Sequence, residues 1–182
     1  FVDLETIARE CDIITFHTPL SREGKYATFH LVNDEFLLSL KRTPYIINSS
    51  RGEVVDTDAL LAALATGKVR DVVIDTWENE PDINQELLDA AFLATPHIAG
   101  YSYQGKQNGT ASAVQSVARH FGIEELYDFY PENDVPDHEP VLLDLKGKKQ
   151  GEIAAVFQYN YPIFTDDFRF RMEPGNFEKM RS

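Results

Sequence analysis

Residues 72–100 read VVIDTWENEPDINQELLDAAFLATPHIAG and contain two short apolar runs, each followed by a polar loop. The first run predicts a strand that leads into the acidic turn Glu78-Asn79-Glu80-Pro81. The second run predicts a strand, Phe92 to Thr95, that leads into Thr95-Pro96-His97-Ile98-Ala99-Gly100. A helical segment at 84–91 separates them, which favours a parallel pair. Ligands bind at the carboxyl ends of parallel strands, so the two loops bring a carboxylate and an imidazole to a ligand-binding edge.

A third ionisable group arrives by the same route. Ile46-Ile47-Asn48 predicts a buried strand, and Ser49-Ser50-Arg51-Gly52 predicts the loop at its carboxyl end. Arg51, Glu80 and His97 then meet at one edge of the sheet. The sequence therefore predicts an active site there.

The chain up to residue 125 alternates strands with helices, which is typical of a parallel α/β sheet. We predict an α/β fold that forms the second half of a Rossmann-like, doubly wound sheet. Asn33 and Asp56 are predicted helix N-caps, and Gly67 is a predicted helix end. The predicted helices cover residues 3–10, 33–40, 57–66, 84–91 and 112–121, and the predicted strands cover 11–16, 45–48, 69–74 and 92–95. In the last helix, Val114, Val117 and Ala118 are expected to face inward.

The first half of a dinucleotide-binding fold carries a G-x-G-x-x-G loop that binds the pyrophosphate. No pair of glycines in this chain is spaced to begin one. We therefore expect the chain to be a piece of a longer protein, without activity until the missing part is restored.

The composition of the sequence changes after Leu126. Pro131, Pro136 and Pro140 lie among acidic residues as far as Asp144, which indicates a linker or an irregular arm. Residues 151–157 predict a strand or a short helix. We predict a boundary at residue 125, with 126–182 forming part of a small α+β unit. Its aromatic residues are expected to need a partner surface: Phe157, Tyr159, Tyr161, Phe164, Phe168, Phe170 and Phe177.

Composition narrows the class of partner. The 182 residues include 17 Lys or Arg and 30 Asp or Glu, a net charge of −13. So acidic a surface argues against nucleic-acid and anionic-membrane binding, because both need clusters of basic residues. We predict no metal site. The single cysteine, Cys11, cannot form an intrachain disulfide, and no apolar run approaches the length of a membrane span. A cytoplasmic location fits best.

The three ionisable residues favour hydride transfer at a carbon that bears a hydroxyl group. His97 would take the hydroxyl proton, because an imidazole titrates near neutral pH. Glu80 would orient the imidazole, and Arg51 would hold a substrate carboxylate with its planar fork of donors. Each residue also has a plain structural alternative: a surface ion pair for Arg51, a loop acid for Glu80 and a satisfied core histidine for His97.

Four motifs together resemble the D-2-hydroxyacid dehydrogenase family. They are HTPL at 17–20, INSSRGEVVD at 47–56, IDTWENEP at 74–81 and TPHIAG at 95–100. The resemblance implies NAD as the cofactor and places Arg51, Glu80 and His97 on the family's catalytic positions. It also implies that Thr18, Asp75 and Gly100 contact NAD, with ordinary turn or cap chemistry as the alternative for each.

Within the family, residues 97–102 and 105–110 are similar to the branch that oxidises 4-phosphoerythronate in pyridoxal 5'-phosphate synthesis. That similarity implies 4-phosphoerythronate as the substrate and Tyr101 as a substrate contact. Segments of the tail, at 161–163, 166–171 and 177–179, are similar to the C-terminal dimerisation domain of that branch, which implies a homodimer. Two alternatives stay open: a dehydrogenase of another D-2-hydroxy acid such as glycerate, lactate or phosphoglycerate, and a non-catalytic protein that senses dinucleotide or acts as a scaffold.

Overall fold

The computed structural model describes residues 1–132, 142–173, 175 and 177–181. In chain order the first part contains α1 (Leu4–Glu10), β1 (Ile13–Phe16), α2 (Asp34–Ser39), β2 (Tyr45–Asn48), α3 (Thr57–Ala65), β3 (Asp71–Ile74), α4 (Gln85–Ala90) and β4 (Leu93–Ala94). The second part contains α5 (Tyr103–Phe121), α6 (Gln150–Asn160), α7 (Ile163–Met172) and α8 (Phe177–Arg181). Two 3₁₀ turns lie at Gly52–Val54 and Glu124–Leu126.

The four strands form one parallel sheet in the order β1-β2-β3-β4. In the register, Phe16 lies beside Asn48, Asn48 beside Ile74, and Ile74 beside Ala94. The carboxyl ends of all four strands therefore lie at the same edge. The predicted α/β class and parallel sheet are confirmed, and this edge positions the candidate site.

Burial alternates along β2 and β3, as expected where successive side chains point to opposite faces. Ile46 and Val72 on one face are fully buried, and they belong to a single apolar core with Phe36 of α2 and Leu60 of α3. This core fixes the sheet, and the loops that leave its carboxyl edge start from fixed points.

Polar side chains cap the helices where the sequence predicted them. Asn33 Oδ1 accepts the backbone N–H of Phe36 at 3.0 Å, and Asp56 Oδ1 accepts that of Ala59 at 3.1 Å. Gly67 follows α3 with φ +71°, a conformation that glycine adopts without a Cβ penalty. Both predicted caps and the predicted helix end are confirmed.

Helix α5 starts nine residues earlier than predicted. Ser102 caps it by accepting the N–H of Gly105 at 2.9 Å, so the helix runs from Tyr103 rather than from Ser112. Residues 103–111 are polar and contain two glycines, so they show no apolar periodicity that would predict a helix. Ala118 is buried as predicted, whereas Val117 is 54% exposed, so its predicted inward orientation is wrong.

Contacts divide the chain into two compact units. One contains residues 1–99 with 163–182, and the other contains residues 100–162. In the first unit, α7 and α8 pack with the sheet, and the predicted boundary at residue 125 stays a prediction. The described residues after 125 include the helices α6, α7 and α8, with α6 where a strand or short helix was predicted. That residues 126–182 belong to a dimerisation unit stays a prediction, and the linker prolines Pro136 and Pro140 lie outside the described residues.

The aromatic tail behaves in two ways. Phe170 and Phe177 are fully buried in the core of their own chain, so the prediction that these two need a partner surface is wrong. The other aromatic residues of α6, of α7 and of the short connection between them are exposed: Phe157, Tyr159, Tyr161, Phe164 and Phe168. Across the described residues, no helix is both long enough and apolar enough to cross a bilayer.

Candidate active site

Glu80 and His97 form the central contact of the carboxyl edge. His97 Nδ1 lies 2.8 Å from Glu80 Oε2, and both side chains are about four-fifths buried, with 21% and 19% exposed. Because an ionised carboxylate only accepts hydrogen bonds, this contact puts the proton of a neutral imidazole on Nδ1. The structure gives Nε2 no hydrogen bond among the described residues. The pair therefore leaves one ring nitrogen as the acceptor for a substrate proton.

Asp75 holds the loop that carries His97. Its carboxylate is only 4% exposed and accepts three hydrogen bonds. The Thr95 hydroxyl donates at 2.6 Å, the Ile98 N–H at 2.8 Å and the Ala99 N–H at 3.0 Å. These donors lie on both sides of His97, whose backbone sits in the left-handed region with φ +57°. A non-glycine residue there is strained by about 1 kcal/mol or more, and the Asp75 bonds hold it in place.

Trp77 connects the two loops. Its backbone N–H donates to Glu80 Oε1 at 2.8 Å, and its indole N–H donates to the Thr95 carbonyl at 2.9 Å. The side chain is 3% exposed, so water does not compete for the indole hydrogen bond. Glu80 is therefore held at Oε1 by Trp77 and at Oε2 by His97.

The Arg51 loop is built by buried Asn48 at the end of β2. Asn48 Nδ2 donates to the Arg51 carbonyl at 3.0 Å, and its Oδ1 accepts from the Ser50 hydroxyl at 2.9 Å. The Arg51 guanidinium is exposed and donates to the Ser50 carbonyl at 2.7 Å. No hydrogen bond joins it to Glu80 or His97 in the described part of the chain. The structure thus brings two of the three predicted catalytic residues into contact and leaves Arg51 with donors for a ligand.

Gly52 seats the Arg51 loop against the Trp77 loop. A Cβ at this position would lie 1.9 Å from the Trp77 carbonyl oxygen and 2.4 Å from the Glu78 nitrogen. Both are backbone atoms, so they cannot swing away as a side chain could. Only glycine allows the loops to approach so closely.

A second histidine contact ties the acidic turn to helix α3. His30 Nε2 lies 2.7 Å from Glu78 Oε1, and His30 Nδ1 lies 3.3 Å from Asp56 Oδ2. The other Glu78 oxygen accepts the N–H of Thr57 at 2.9 Å, at the start of α3. Glu78 therefore anchors the turn, while Glu80, two residues on, is left for His97.

The residues predicted to contact NAD lie in different settings. Thr18 follows β1, and its hydroxyl is closed to solvent and has no partner among the described residues. The Asp75 carboxylate is occupied by the protein itself, so its predicted contact with NAD stays a prediction. Gly100 and Tyr101 open the unit of residues 100–162, where Lys106 Nζ lies 3.7 Å from the Tyr101 ring centroid. Their parts in the site also stay predictions.

The Thr18 hydroxyl gives one test of whether a dinucleotide fits this edge. A buried hydroxyl without a partner costs about 1 to 3 kcal/mol, and a polar ligand group at the carboxyl end of β1 would offset that cost. NAD carries such groups, so Thr18 suits it. Among the described residues, no group of three His, Cys, Asp or Glu side chains is arranged to hold a metal ion.

The sequence predicted no role for several residues that build this edge, including Trp77, Asn48 and the pair His30 and Glu78. Trp77 is the single tryptophan of the chain, and Asn48 lies inside a motif already singled out. Their roles depend on contacts across loops, which no periodic pattern reports.

Comparison with known proteins agrees with this geometry. The family model described as D-isomer specific 2-hydroxyacid dehydrogenase, NAD binding domain, matches residues 1–99. The chain belongs to the D-isomer specific 2-hydroxyacid dehydrogenases, and residues 1–99 are part of their NAD-binding domain.

Curated relatives match over the whole chain. The erythronate-4-phosphate dehydrogenase of Bacteroides thetaiotaomicron is 46% identical over 181 residues, and that of Porphyromonas gingivalis is 39% identical over 184. In both cases the match covers 100% of this chain and 49% of the relative. The chain therefore spans about half the length of the curated relatives it matches.

Solved structures show the same fold. The D-lactate dehydrogenase of Aquifex aeolicus, solved with NAD and lactic acid, has 31% identity and a TM-score of 0.56, covering 69% of this chain and 42% of that chain. The D-mandelate dehydrogenase of Rhodotorula graminis has 33% identity and a TM-score of 0.51, covering 58% of this chain and 30% of that chain.

Proposed function

We propose that the full-length protein containing this chain oxidises 4-phospho-D-erythronate with NAD. The product is (R)-3-hydroxy-2-oxo-4-phosphooxybutanoate. The reaction is a step of pyridoxal 5'-phosphate synthesis. The observation that carries the proposal is the 2.8 Å contact between His97 Nδ1 and Glu80 Oε2 at the carboxyl edge of an NAD-binding sheet. A carboxylate that fixes the tautomer of a largely buried imidazole is the arrangement a general base needs.

In the proposed reaction, His97 Nε2 accepts the proton of the substrate 2-hydroxyl group. At the same time, hydride leaves the carbon that bears this hydroxyl group. The bound NAD supplies the acceptor of that hydride. Glu80 keeps Nδ1 protonated and stabilises the imidazolium that forms. Two bonds, from Trp77 N–H and His97, use both oxygens of Glu80 and hold it in position. In the reverse direction the same imidazolium returns the proton to the oxo group.

Arg51 is proposed to bind the substrate carboxylate. Its guanidinium is exposed at the end of β2, and within the described residues its one hydrogen bond is a donation to the neighbouring Ser50 carbonyl. Four donors thus stay free to form a bidentate pair with a carboxylate, which a lysine could not reproduce. Binding there would set the 2-carbon beside His97.

The substrate within this class is supported by the curated relatives. Relatives named erythronate-4-phosphate dehydrogenase match every part of the chain at 38% to 46% identity, including the unit of residues 100–162 that carries Tyr101. The solved D-lactate and D-mandelate dehydrogenases match only 69% and 58% of this chain. These figures favour 4-phosphoerythronate over the other 2-hydroxy acids.

A turnover assay tests the proposal. NADH formation by the full-length protein would be measured at 340 nm with 4-phospho-D-erythronate, D-glycerate, D-lactate and 3-phosphoglycerate. We expect kcat/KM for 4-phospho-D-erythronate to exceed that for D-glycerate and D-lactate by at least about 100-fold, since both lack the phosphate and loss of a bound charged group forfeits about 3 kcal/mol. 3-Phosphoglycerate keeps the phosphate but is one carbon shorter, so we expect its kcat/KM to be lower by about 10-fold or more. A higher kcat/KM for another of these acids would favour the alternative, a dehydrogenase of that D-2-hydroxy acid. NAD binding without any turnover would favour the sensing or scaffold alternative.

A homodimer and a cytoplasmic location belong to the same proposal, together with the assignment of residues 126–182 to a dimerisation unit. Support for the dimer comes from the exposed aromatic side chains of α6 and α7, because large aromatic rings in water favour association. The low cysteine content supports a reducing compartment. Sedimentation of the full-length protein as a monomer at micromolar concentration would contradict the dimer.

A further inference from the structure

We propose that Phe170 and Arg171 of α7 are positioning residues for the Glu80 and His97 pair, acting through Trp77 and the end of β4. The catalytic part of this inference rests on the proposed function. Helix α7 lies far along the sequence from the site, in the tail whose predicted role was association. Its inner face instead contacts Trp77 in the loop after β3, the end of α4 and the edge strand β4.

The first connection is an aromatic stack behind Trp77. The Phe170 ring meets the Trp77 indole edge-on, with centroids 5.7 Å apart and planes at 65°. Phe177 of α8 backs Phe170 in the same way, at 5.7 Å and 64°. Phe170 is fully buried and Trp77 is 3% exposed, so the two rings pack against each other in the interior of the unit. The tail thus sets where the Trp77 ring lies.

The second connection is a set of charged hydrogen bonds to the end of α4 and to the edge strand β4. Arg171 donates to the carbonyl oxygens of Leu88 and Ala91, where α4 ends and β4 is about to start. Its guanidinium is also paired with Asp167 at 2.8 Å, and Asp167 Oδ1 accepts the N–H of Ala94 at 2.7 Å. A cation on the last carbonyls of a helix and a carboxylate on an edge-strand N–H both satisfy groups that would otherwise lack partners.

Both connections lead directly to the proposed proton-transfer pair. Trp77 gives its backbone N–H to Glu80 and its indole N–H to the carbonyl of Thr95. Thr95 follows Ala94, the residue that Asp167 holds, and precedes His97 by two positions. A movement of α7 would therefore displace the carboxylate and the imidazole relative to each other. A displacement of about 1 Å can reduce a catalysed rate by about 100-fold.

Matched substitutions separate positioning from general packing. Phe170→Leu keeps an apolar side chain but removes the ring behind Trp77, and Phe121→Leu makes the same change at a site on α5 that is 71% exposed. Arg171→Gln and the exposed Arg169→Gln form a second matched pair, which serves if Phe170→Leu does not fold. All four are made in the full-length protein and assayed well below their melting temperatures.

Two readouts are used, and one needs no substrate. The first is kcat and KM for 4-phospho-D-erythronate, and the second is the Nδ1–H resonance of His97 in ¹⁵N-histidine-labelled protein without substrate, assigned by its loss in His97→Asn. We expect Phe170→Leu and Arg171→Gln to lower kcat by about 10- to 100-fold with KM for NAD changed less than about threefold. The His97 resonance should shift or broaden in both. The two control variants should match the wild type in both readouts.

Each other outcome is decisive. A lower melting temperature with an unchanged kcat and an unchanged His97 resonance would overturn the proposal, because α7 would then only stabilise the fold. A lower kcat with an unmoved resonance, or a moved resonance with full kcat, would overturn it as well. If the wild type turns over no tested acid, the proposed function fails, and the NMR comparison alone decides whether α7 positions the pair.

Discussion

The indole N–H of Trp77 donates a hydrogen bond to the carbonyl oxygen of Thr95 at 2.9 Å, and this bond joins the loop after β3 to the loop after β4. Glu80 lies on the first of these loops and His97 on the second. The 2.8 Å contact between their side chains is therefore the product of a backbone scaffold, which fixes the two groups before any substrate arrives.

Gly52→Ala tests the packing of the Arg51 loop on this scaffold. The added Cβ would meet the Trp77 carbonyl oxygen at 1.9 Å, and backbone must move to admit it. We expect the free energy of unfolding of the full-length protein to fall by at least about 3 kcal/mol, as measured by urea denaturation.

Gly109→Ala is the control for that change. Gly109 lies inside α5, where an added Cβ has open space, so we expect a change between about zero and 1 kcal/mol of stabilisation. Equal effects of the two substitutions would contradict the close approach of the loops at Gly52.

Asp75→Asn tests the anchor of the His97 loop. The change keeps the shape of the side chain but replaces one accepting oxygen with an NH₂ group, which cannot accept the N–H of Ile98 or Ala99. We expect a loss of stability of about 2 to 3 kcal/mol, because a hydrogen bond to a buried charged group is removed and its donor is left unpaired.

The control is Asp89→Asn on the exposed side of α4, which should alter the free energy of unfolding by less than about 0.5 kcal/mol. If Asp75→Asn instead leaves stability unchanged and raises only KM for NAD, the side chain serves the cofactor and not the loop.

Arg51→Lys tests the proposed carboxylate fork. A lysine keeps the positive charge but offers one ammonium point in place of a planar pair of donors. We expect KM for the substrate to rise by about 10- to 100-fold with KM for NAD little changed, which corresponds to the loss of one charge-assisted bond.

Arg22→Lys is the matched control, since Arg22 is an exposed residue paired with Glu53 at 3.5 Å, and its replacement should leave both constants unaltered. An unchanged substrate KM in Arg51→Lys would assign the carboxylate to another group.

The sequence predicted those parts of the molecule that local rules determine. Strand β2 matches its predicted bounds, Asn33 and Asp56 cap their helices as predicted, and Glu80 meets His97 because parallel strands bring their carboxyl ends together. Each of these follows from apolar periodicity or from a single capping side chain.

The features that escaped prediction depend on contacts between distant segments. Nothing local to Phe170 distinguishes it from Phe168, yet one is fully buried behind Trp77 and the other is 64% exposed. Asp75 was predicted to contact NAD because it follows a strand at the ligand-binding edge. Its three donors come from residues 20 to 24 positions away, which no pattern within β3 could indicate.

The most direct test of the catalytic assignment is the rate of NADH formation by His97→Asn in the full-length protein, with 4-phospho-D-erythronate and saturating NAD. Asparagine keeps a polar group of similar reach but cannot accept a proton near neutral pH. We predict that kcat falls by about 100- to 10,000-fold, while KM for NAD and the melting temperature stay close to those of the wild type. A variant with kcat within about twofold of the wild type would contradict the account, because His97 would then not be the group that accepts the substrate proton.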